Sequence, residues 1–374
     1  MKLKPYPEYE DSGIEWIGEI PEGWEVRKLK FISRLFGRIG FRGYTVSDLV
    51  EEGKGALTIG GKHISKNQKL DLSSPEYLSW EKYKESPEIM IEQGNILITQ
   101  RGTLGKVVLI DKDIGPATIN PSMILIKEIK LLSEYLYYFL VSDFSIQEVA
   151  LINSQTAVPM ISQEQADNFH IIFPRNEQDQ TAIASFLDKR TARFDALIEK
   201  DKKLIALLKE KRTALINHAV TKGLDPNVKL KDSGVEWIGE IPEGWEVRRL
   251  RFNALVNPSG KKALSDPKLL VNFLPMEKVS ENGEYDTESE AEYQDVSSGY
   301  TYFEDNDILV AKITPCFENG KGTLVNNLEY GFGFGTTEFH VIRSYDQLDS
   351  KYLFYLTKTH LFRVTGETFM EGAA

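Results

Sequence analysis

The 374-residue chain is 41% apolar and 11% aromatic, enough to fill two hydrophobic cores of ordinary size, which argues against a disordered protein. Its net charge of −11 argues at first sight against nucleic acid, although Lys and Arg concentrate in 27–42, 61–69 and 189–212. One cysteine excludes an internal disulfide, and five scattered histidines lack zinc-site spacing, so we expect no metal and no cofactor. Without a long apolar run or a signal peptide, a soluble cytoplasmic protein with no membrane contact is expected.

A long phrase near the amino terminus occurs twice. The segment from Asp11 to Phe31 returns almost unchanged from Asp232 to Phe252, whereas the sequences that follow the two copies differ. A period of about 220 residues is too long for a solenoid and indicates a duplicated domain with its connector. In each copy Ile-Pro-Glu-Gly-Trp predicts a turn, and Glu-Val-Arg predicts a short strand that opens a domain, packed by Trp24 or Trp245.

Each copy is followed by the same predicted order of strands and one helix, which indicates two similar irregular α/β domains. In the first domain the strands are predicted at 56–59, 95–100, 107–110 and 123–126, and the helix at 133–142. In the second they are predicted at 271–274, 307–311, 322–325 and 339–343, and the helix at 350–359.

Between the two domains, residues 177 to about 221 have the pattern of one long amphipathic helix. Apolar residues recur at three- and four-residue spacing, and Gly223 ends the run. Such a helix measures about 50 to 65 Å, and its narrow apolar seam requires another helix beside it. The chain stops where the second unit's counterpart of 158–223 would begin, so we expect a truncated second unit and self-association through the uncovered seam.

The predicted division is therefore 1–175 for the first domain, 176–223 for the connecting helix and 224–374 for the truncated second domain.

The repeated tryptophans have two interpretations, since they are either structural anchors or a docking surface for a partner that contacts both halves. The residues assigned to partner binding are Trp16, Trp237, Phe194, Leu197, Ile198, Ile205 and Leu208.

The order of these segments resembles the specificity subunit of type I restriction-modification enzymes. The resemblance rests on the doubled Trp-Ile-Gly-Glu-Ile-Pro-Glu-Gly-Trp phrase, on the helix that ends Lys-Arg-Thr-Ala-Leu-Ile-Asn-His-Ala-Val-Thr-Lys-Gly, and on Pro-Cys-Phe-Glu-Asn-Gly-Lys at Pro315–Lys321. It implies an α/β (α+β) fold, with two target-recognition domains in pseudo-symmetric tandem repeat, separated by half of an antiparallel coiled coil. The family pattern also includes a last helix, which we expect to be lacking from the truncated second unit.

The resemblance also implies a function without catalysis by this chain. Each domain would read one half of a bipartite, asymmetric target in double-stranded DNA, and the helix would set the spacing. Two modification subunits would carry the adenine methyltransferase, and restriction subunits would join through them. The sequence agrees, because it has no Asn-Pro-Pro-aromatic motif and no phosphate-binding loop.

Base reading needs side chains with paired donors or acceptors on loops, which selects two loops in each domain, at 60–69, 99–106, 312–321 and 333–338. The first-domain candidates are Lys62, His63, Lys66, Gln100, Arg101, Thr103 and Lys106. The second-domain candidates are Lys312, Thr314, Asn319, Lys321, Thr336 and Thr337. The competing interpretation of these residues is a set of ordinary solvated turns.

A different class of function also fits the pattern. Tandem aromatic-rich domains on a helical rod would serve as a protein-interaction scaffold that never contacts DNA, and the acidic net charge slightly favours this alternative. An inactive or decoy subunit of the same fold is the other alternative. The scaffold predicts no affinity for duplex DNA, whereas the reader predicts salt-sensitive binding in the assembled complex.

Overall fold

The computed structural model describes residues 6–38, 43–153, 160–236, 238–260, 262–286 and 288–370. Contacts divide the chain into a first unit, Met1–Ile198, and a second unit, Glu199–Ala374. This division falls within a long helix, and the boundaries drawn from the sequence stay a prediction. Within the described ranges, no helix is both long and apolar enough to cross a lipid bilayer.

The first unit is a mixed α/β domain. Its strands are β1 (Tyr9–Asp11), β2 (Glu19–Pro21), β3 (Trp24–Lys28), β4 (Arg34–Gly37), β5 (Leu49–Val50), β6 (Gly55–Ile59), β7 (Tyr77–Ser79), β8 (Ile96–Thr99), β9 (Val107–Leu109), β10 (Ala117–Ile119), β11 (Met123–Lys127) and β12 (His170–Pro174). Its helices are α1 (Leu29–Ile32), α2 (Trp80–Lys84), α3 (Ser133–Leu140), α4 (Asp143–Asn153) and α5 (Gln163–Asp167), and α6 (Glu177–Lys222) begins here.

Two four-stranded sheets form the body of this unit. One has the order β10-β6-β7-β5, with β10 parallel to β6, and the other is antiparallel with the order β4-β11-β8-β9. Strand β8 is buried on both faces, which explains its uninterrupted apolar sequence. Ile96 and Ile98 enter a core that includes residues of α3, whereas Leu97 enters a second core with Leu57 and Ile59 of β6.

The second unit repeats this plan. Its strands are β13 (Leu230–Asp232), β14 (Glu240–Pro242), β15 (Ala254–Val256), β16 (Leu270–Leu274), β17 (Glu290–Glu292), β18 (Thr301–Glu304), β19 (Ile308–Ala311), β20 (Gly322–Leu324), β21 (Phe332–Gly335) and β22 (Phe339–Ser344). Its helices are α7 (Tyr293–Val296), α8 (Ser350–Thr357) and α9 (His360–Met370).

The strand orders of the two units correspond. The sheet β15-β22-β19-β20 has the same order as β4-β11-β8-β9, and β16 pairs in parallel with β21 as β6 does with β10. The other sheet shares three strands, β10-β6-β7 in the first unit and β21-β16-β17 in the second, but its fourth strand lies at the opposite edge, with β5 beside β7 in the first unit and β18 beside β21 in the second. The predicted fold class, two similar α/β domains with a long helix between them in the chain, is confirmed.

The ends of α6 follow ordinary capping chemistry. The Asn176 side chain accepts a hydrogen bond from the Gln178 N–H at 2.9 Å, which satisfies one free donor of the first turn. At the other end Gly223 has φ of +77°, and its N–H bonds to the Ala219 carbonyl at 3.2 Å. The pairing of this helix as half of a coiled coil stays a prediction.

One prediction from the repeated phrase is wrong. In the first unit Trp24–Lys28 is strand β3, paired antiparallel with β12. In the second unit the equivalent segment, 245–249, is not a strand although its sequence is almost the same. The described part of the second unit contains no counterpart of β12, so this segment lacks the backbone partner that a strand requires.

Candidate nucleic-acid interface

Several strand ends of the first unit meet at one edge. Strands β6 and β10 are parallel, so the loops after Ile59 and Ile119 leave on the same side, where β8 ends and β7 begins. The loops enclose a cavity of about 430 Å³, here called the edge cleft. Its lining residues are Gly61, Lys62, Glu76, Thr99, Arg101, Gly102, Thr103, Lys106, Asn120 and Ser122.

The edge cleft brings together predicted residues from both loops of the first domain. The Lys62 ammonium lies 2.6 Å from a carboxylate oxygen of Glu76, and its side chain is 53% exposed. Arg101 and Thr103 are exposed, and Arg101 forms no ion pair with another described residue. The cleft therefore presents a guanidinium and an ammonium to solvent.

His63 does not fit the predicted contact with DNA. Its side chain is 1% exposed, Nδ1 accepts the Gly60 N–H at 3.0 Å, and Nε2 lies 3.1 Å from the Ser74 carbonyl oxygen. Burial lowers the pKa of the imidazole below its usual range, which favours the neutral form. His63 therefore fixes the turn 61–63 from inside, and the prediction is corrected.

Lys106 lines the cleft, but its ammonium is occupied. Its Nζ donates to the carbonyl oxygens of Gly61 at 2.9 Å and Ile64 at 2.8 Å. These bonds hold the turn that carries Lys62, so the structure assigns Lys106 a structural role in place of the predicted DNA contact. Lys66 is exposed on the same loop and does not line the cleft.

The Gln100 side chain is also engaged. Its Nε2 donates to the Pro121 carbonyl oxygen at 2.7 Å and its backbone N–H to the Ser122 carbonyl, so it fastens two loops and does not line the cleft. Sequence reasoning missed Glu76, Asn120 and Ser122. Their only sequence signal is position, since Asn120 and Ser122 follow the buried strand β10 and Glu76 precedes β7.

In the second unit the loop 312–321 exposes three of its four predicted residues, which are Lys312, Thr314 and Asn319. Lys321 is half-buried, and its Nζ donates to the Met276 carbonyl oxygen at 3.4 Å. Its position just before β20 corresponds to that of Lys106 just before β9, and each lysine bonds to a 3₁₀ turn, Met276–Lys278 or Gly61–His63. Lys321 is therefore also reassigned from DNA contact to loop support.

The second predicted loop of this unit is largely wrong, because Phe332–Gly335 is the buried strand β21. Thr336, just after it, has a buried hydroxyl with no hydrogen-bond partner among the described residues, and only Thr337 is exposed. A buried hydroxyl does not reach a base, so the prediction for Thr336 is corrected.

Lys358 supports the loop 312–321 from beneath, and sequence reasoning missed it. Its buried ammonium donates to the carbonyl oxygens of Gly320 and Gly322 at 2.8 Å each, and to that of Glu281 at 3.2 Å. Burial lowers the pKa of Lys358 to about 8. These bonds fix the end of the loop 312–321, on which the exposed candidates of the second unit lie.

The residues predicted to bind a partner have mixed positions. Trp16 is 39% exposed and packs edge-on to His170, with ring centroids 6.1 Å apart, while Trp237 lies outside the described residues. The five residues on α6 are all 45% to 58% exposed, namely Phe194, Leu197, Ile198, Ile205 and Leu208. An apolar stripe with this exposure is available to a partner.

Half of the chain matches the sequence model of a known protein family. Residues 21–208 match the model of the type I restriction modification DNA specificity domain. The chain belongs to this family. The resemblance inferred from the doubled phrase is thereby confirmed.

Curated specificity subunits are similar to parts of this specificity chain. It is 42% identical over 137 residues to the type I restriction enzyme EcoAI specificity subunit of Escherichia coli, covering 36% of the chain and 23% of the relative. It is 34% identical over 174 residues to the EcoEI specificity subunit of the same species, covering 46% and 28%. The MjaIX specificity subunit of Methanocaldococcus jannaschii is 29% identical over 257 residues, covering 67% and 55%. The matched segments thus span 23% to 55% of the length of these relatives.

Solved structures agree on the fold. A chain from a study of complex assembly and conformational transition of the type I R-M system superimposes with a TM-score of 0.58 at 17% identity, covering 90% of this chain and 79% of that one. The HsdS subunit of Thermoanaerobacter tengcongensis gives a TM-score of 0.50 at 15% identity, covering 93% and 81%. At these identities the likeness concerns the fold alone.

Proposed function

We propose that this specificity chain is the non-catalytic DNA-reading component of a type I restriction-modification complex, and that its two units are target-recognition domains for the unlike halves of a bipartite DNA target. The observation that carries the proposal is the edge cleft, in which an exposed guanidinium and an ammonium lie among loop residues of a chain from a DNA specificity family. The family membership favours this reader over the scaffold alternative.

The two units supply the chemical difference between the half-sites. The first presents Lys62, Arg101 and Thr103 around the edge cleft, and the second exposes Lys312, Thr314 and Asn319 on one loop. Because the two units present different side chains on corresponding strands and loops, they would read different base sequences. The 46 residues of α6 give a helix about 69 Å long at 1.5 Å per residue, long enough to serve as a fixed spacer.

The partners follow from the same proposal. Two modification subunits, which carry the methyltransferase, would bind the specificity chain, and restriction subunits would associate through them. The exposed stripe of α6 with Leu197, Ile198 and Ile205 is the surface proposed for a modification subunit or for a second copy of the chain. Substituting Leu197 and Ile205 together by Glu is expected to weaken that association in a pull-down assay.

The test is to co-express the chain with its modification subunit and to map methylated adenines by long-read sequencing. We expect one motif with two unlike halves at a fixed spacing. In a parallel binding assay, Lys62→Ala should weaken binding to all duplexes and reduce the salt dependence by about one phosphate contact. Lys54→Ala is the matched control, because Lys54 also pairs with a glutamate, at 2.7 Å, but does not line the cleft. A stable complex that binds no duplex DNA would refute the proposal in favour of a scaffold.

A further inference from the structure

The edge cleft contains an acidic group that a general DNA-binding surface does not need. Glu76 lies directly before β7, where its carbonyl oxygen accepts the Thr58 N–H at 2.8 Å. This backbone bond fixes its position beside the end of β6. Its side chain is 33% exposed, and its Oε1 lies 2.6 Å from the Lys62 ammonium. The backbone bond therefore positions the residue, and the contact with Lys62 holds its carboxylate at the cleft.

A carboxylate is repelled by phosphate, so its presence argues that part of the cleft faces a base edge. The second oxygen of Glu76 has no hydrogen-bond partner among the described residues. It is a free acceptor, and in the major groove acceptors pair with the exocyclic amino groups of cytosine or adenine. Lys62 offsets the negative charge, which makes the approach of DNA to this carboxylate less costly.

The other lining groups distinguish between these two bases. Arg101 also lines the cleft and offers a planar fork of donors, which is matched by two acceptors on one base. A C·G pair presents the cytosine amino group next to the O6 and N7 acceptors of guanine. In a T·A pair the two acceptors lie on different bases, and a methyl group lies beside one of them. The carboxylate acceptor of Glu76 and the paired donors of Arg101 in one cleft therefore fit a C·G pair.

We propose that Glu76 is a specificity-determining residue, and that the edge cleft reads a C·G pair with Glu76 accepting from the cytosine amino group and Arg101 donating to guanine. This inference rests on the proposed function. It names one base pair of the half-site read by the first unit, and it assigns Lys62 the role of neutralising Glu76 as well as attracting phosphate.

The experiment uses the full chain in complex with its modification subunit. The methylation motif is determined for the wild type, Glu76→Gln and the matched control Glu51→Gln. Glu51 is an exposed glutamate of the same unit that likewise pairs with a lysine but lies outside the cleft. Binding is then measured on duplexes that carry each of the four base pairs at every position of the half-site. A second variant, Glu76→Ala, removes the side chain without adding an amide donor.

In both Glu76 variants we expect the preference for C at one position of one half-site to fall by about 5- to 150-fold, with the other half-site unchanged. Glu51→Gln should keep the wild-type motif. An unchanged motif, or stronger binding to all sequences alike, would overturn the inference, because Glu76 would then act only through its charge. If the wild-type complex binds no duplex DNA, the proposed function itself fails, which is a separate result.

Discussion

The structural role of Lys106 can be tested directly by removing its ammonium group. Its ammonium makes two hydrogen bonds to carbonyl oxygens of the turn 61–64, each worth about 1.5 to 3 kcal/mol when the donor is charged. Lys106→Met keeps the aliphatic stem and removes both bonds. Because the cleft is open to water, which will partly replace the lost donor, we expect a net loss of about 2 to 4 kcal/mol in the free energy of unfolding.

The effect is best measured locally, since a two-unit chain does not guarantee a two-state transition. Hydrogen exchange of peptides covering 60–71 should accelerate about 30- to 700-fold in Lys106→Met, by the usual tenfold per 1.4 kcal/mol. Lys66→Met is the control, because Lys66 is exposed on the same loop and bonds to no other described residue. Unchanged protection together with a loss of DNA affinity would refute the structural role and restore Lys106 as a DNA contact.

Three further predictions concern the first unit. Arg101→Ala should reduce binding to the cognate duplex by about 1 to 3 kcal/mol more than binding to random duplex, whereas an equal loss in both titrations would make Arg101 a phosphate contact. Burial lowers the pKa of the His63 imidazole below the unfolded value of 6.5. The neutral imidazole therefore contributes its full stabilisation of the folded state above pH 6.5, and this contribution is lost as the pH falls through the folded pKa. His63→Gln should therefore flatten the decline in stability of the first unit below about pH 6.5 in acid-unfolding curves, and an unaltered pH profile would contradict this assignment. Exchanging 32–174 for the same segment of a relative should change only one half of the methylation motif, and altered specificity in both halves would contradict the modular arrangement.

Much of the fold was predictable because its strands and helices have strong local patterns. Strand β8 coincides with the predicted 95–100 within one residue at each end, since three consecutive apolar residues are buried on both faces. The helix predicted at 177–221 is Glu177–Lys222, because no proline or glycine interrupts it and Gly223 ends it. The parallel pairing of β6 with β10 was not predicted, since it joins segments far apart in the chain.

The strand β21 shows why glycine misleads a reading of sequence alone. The alternation Phe-Gly-Phe-Gly suggests a flexible loop, yet all four residues are buried. A Cβ added to Gly333 would lie 2.9 Å from the Asn272 carbonyl oxygen and from the Phe303 ring, and one added to Gly335 would lie 2.8 Å from the Leu274 carbonyl oxygen. Glycine is needed there for close packing between strands, which only the tertiary structure reveals.

The candidate site was predicted less well than the fold, and the reason is tertiary. Lysine, histidine and threonine in a loop have the same sequence signal whether they face solvent or the turn beneath. His63, Lys106 and Thr336 all prove to be engaged or buried, while Lys62 and Arg101 remain at the surface. Glu76 was overlooked because a search for DNA contacts selects cations and amides, whereas base recognition also uses acceptors.

The paired roles of Lys106 and Lys321 separate the frame of each domain from its variable surface. Both residues come directly before equivalent strands and donate to carbonyls of equivalent 3₁₀ turns, although the loops that precede them differ in sequence. A cation that stabilises a turn cannot change without loss of that turn, whereas an exposed one such as Arg101 or Lys312 can change at little cost to the fold. Under the proposed function, new specificities would therefore arise at the exposed loop positions and at Glu76, while the two lysines at the strand entrances stay the same.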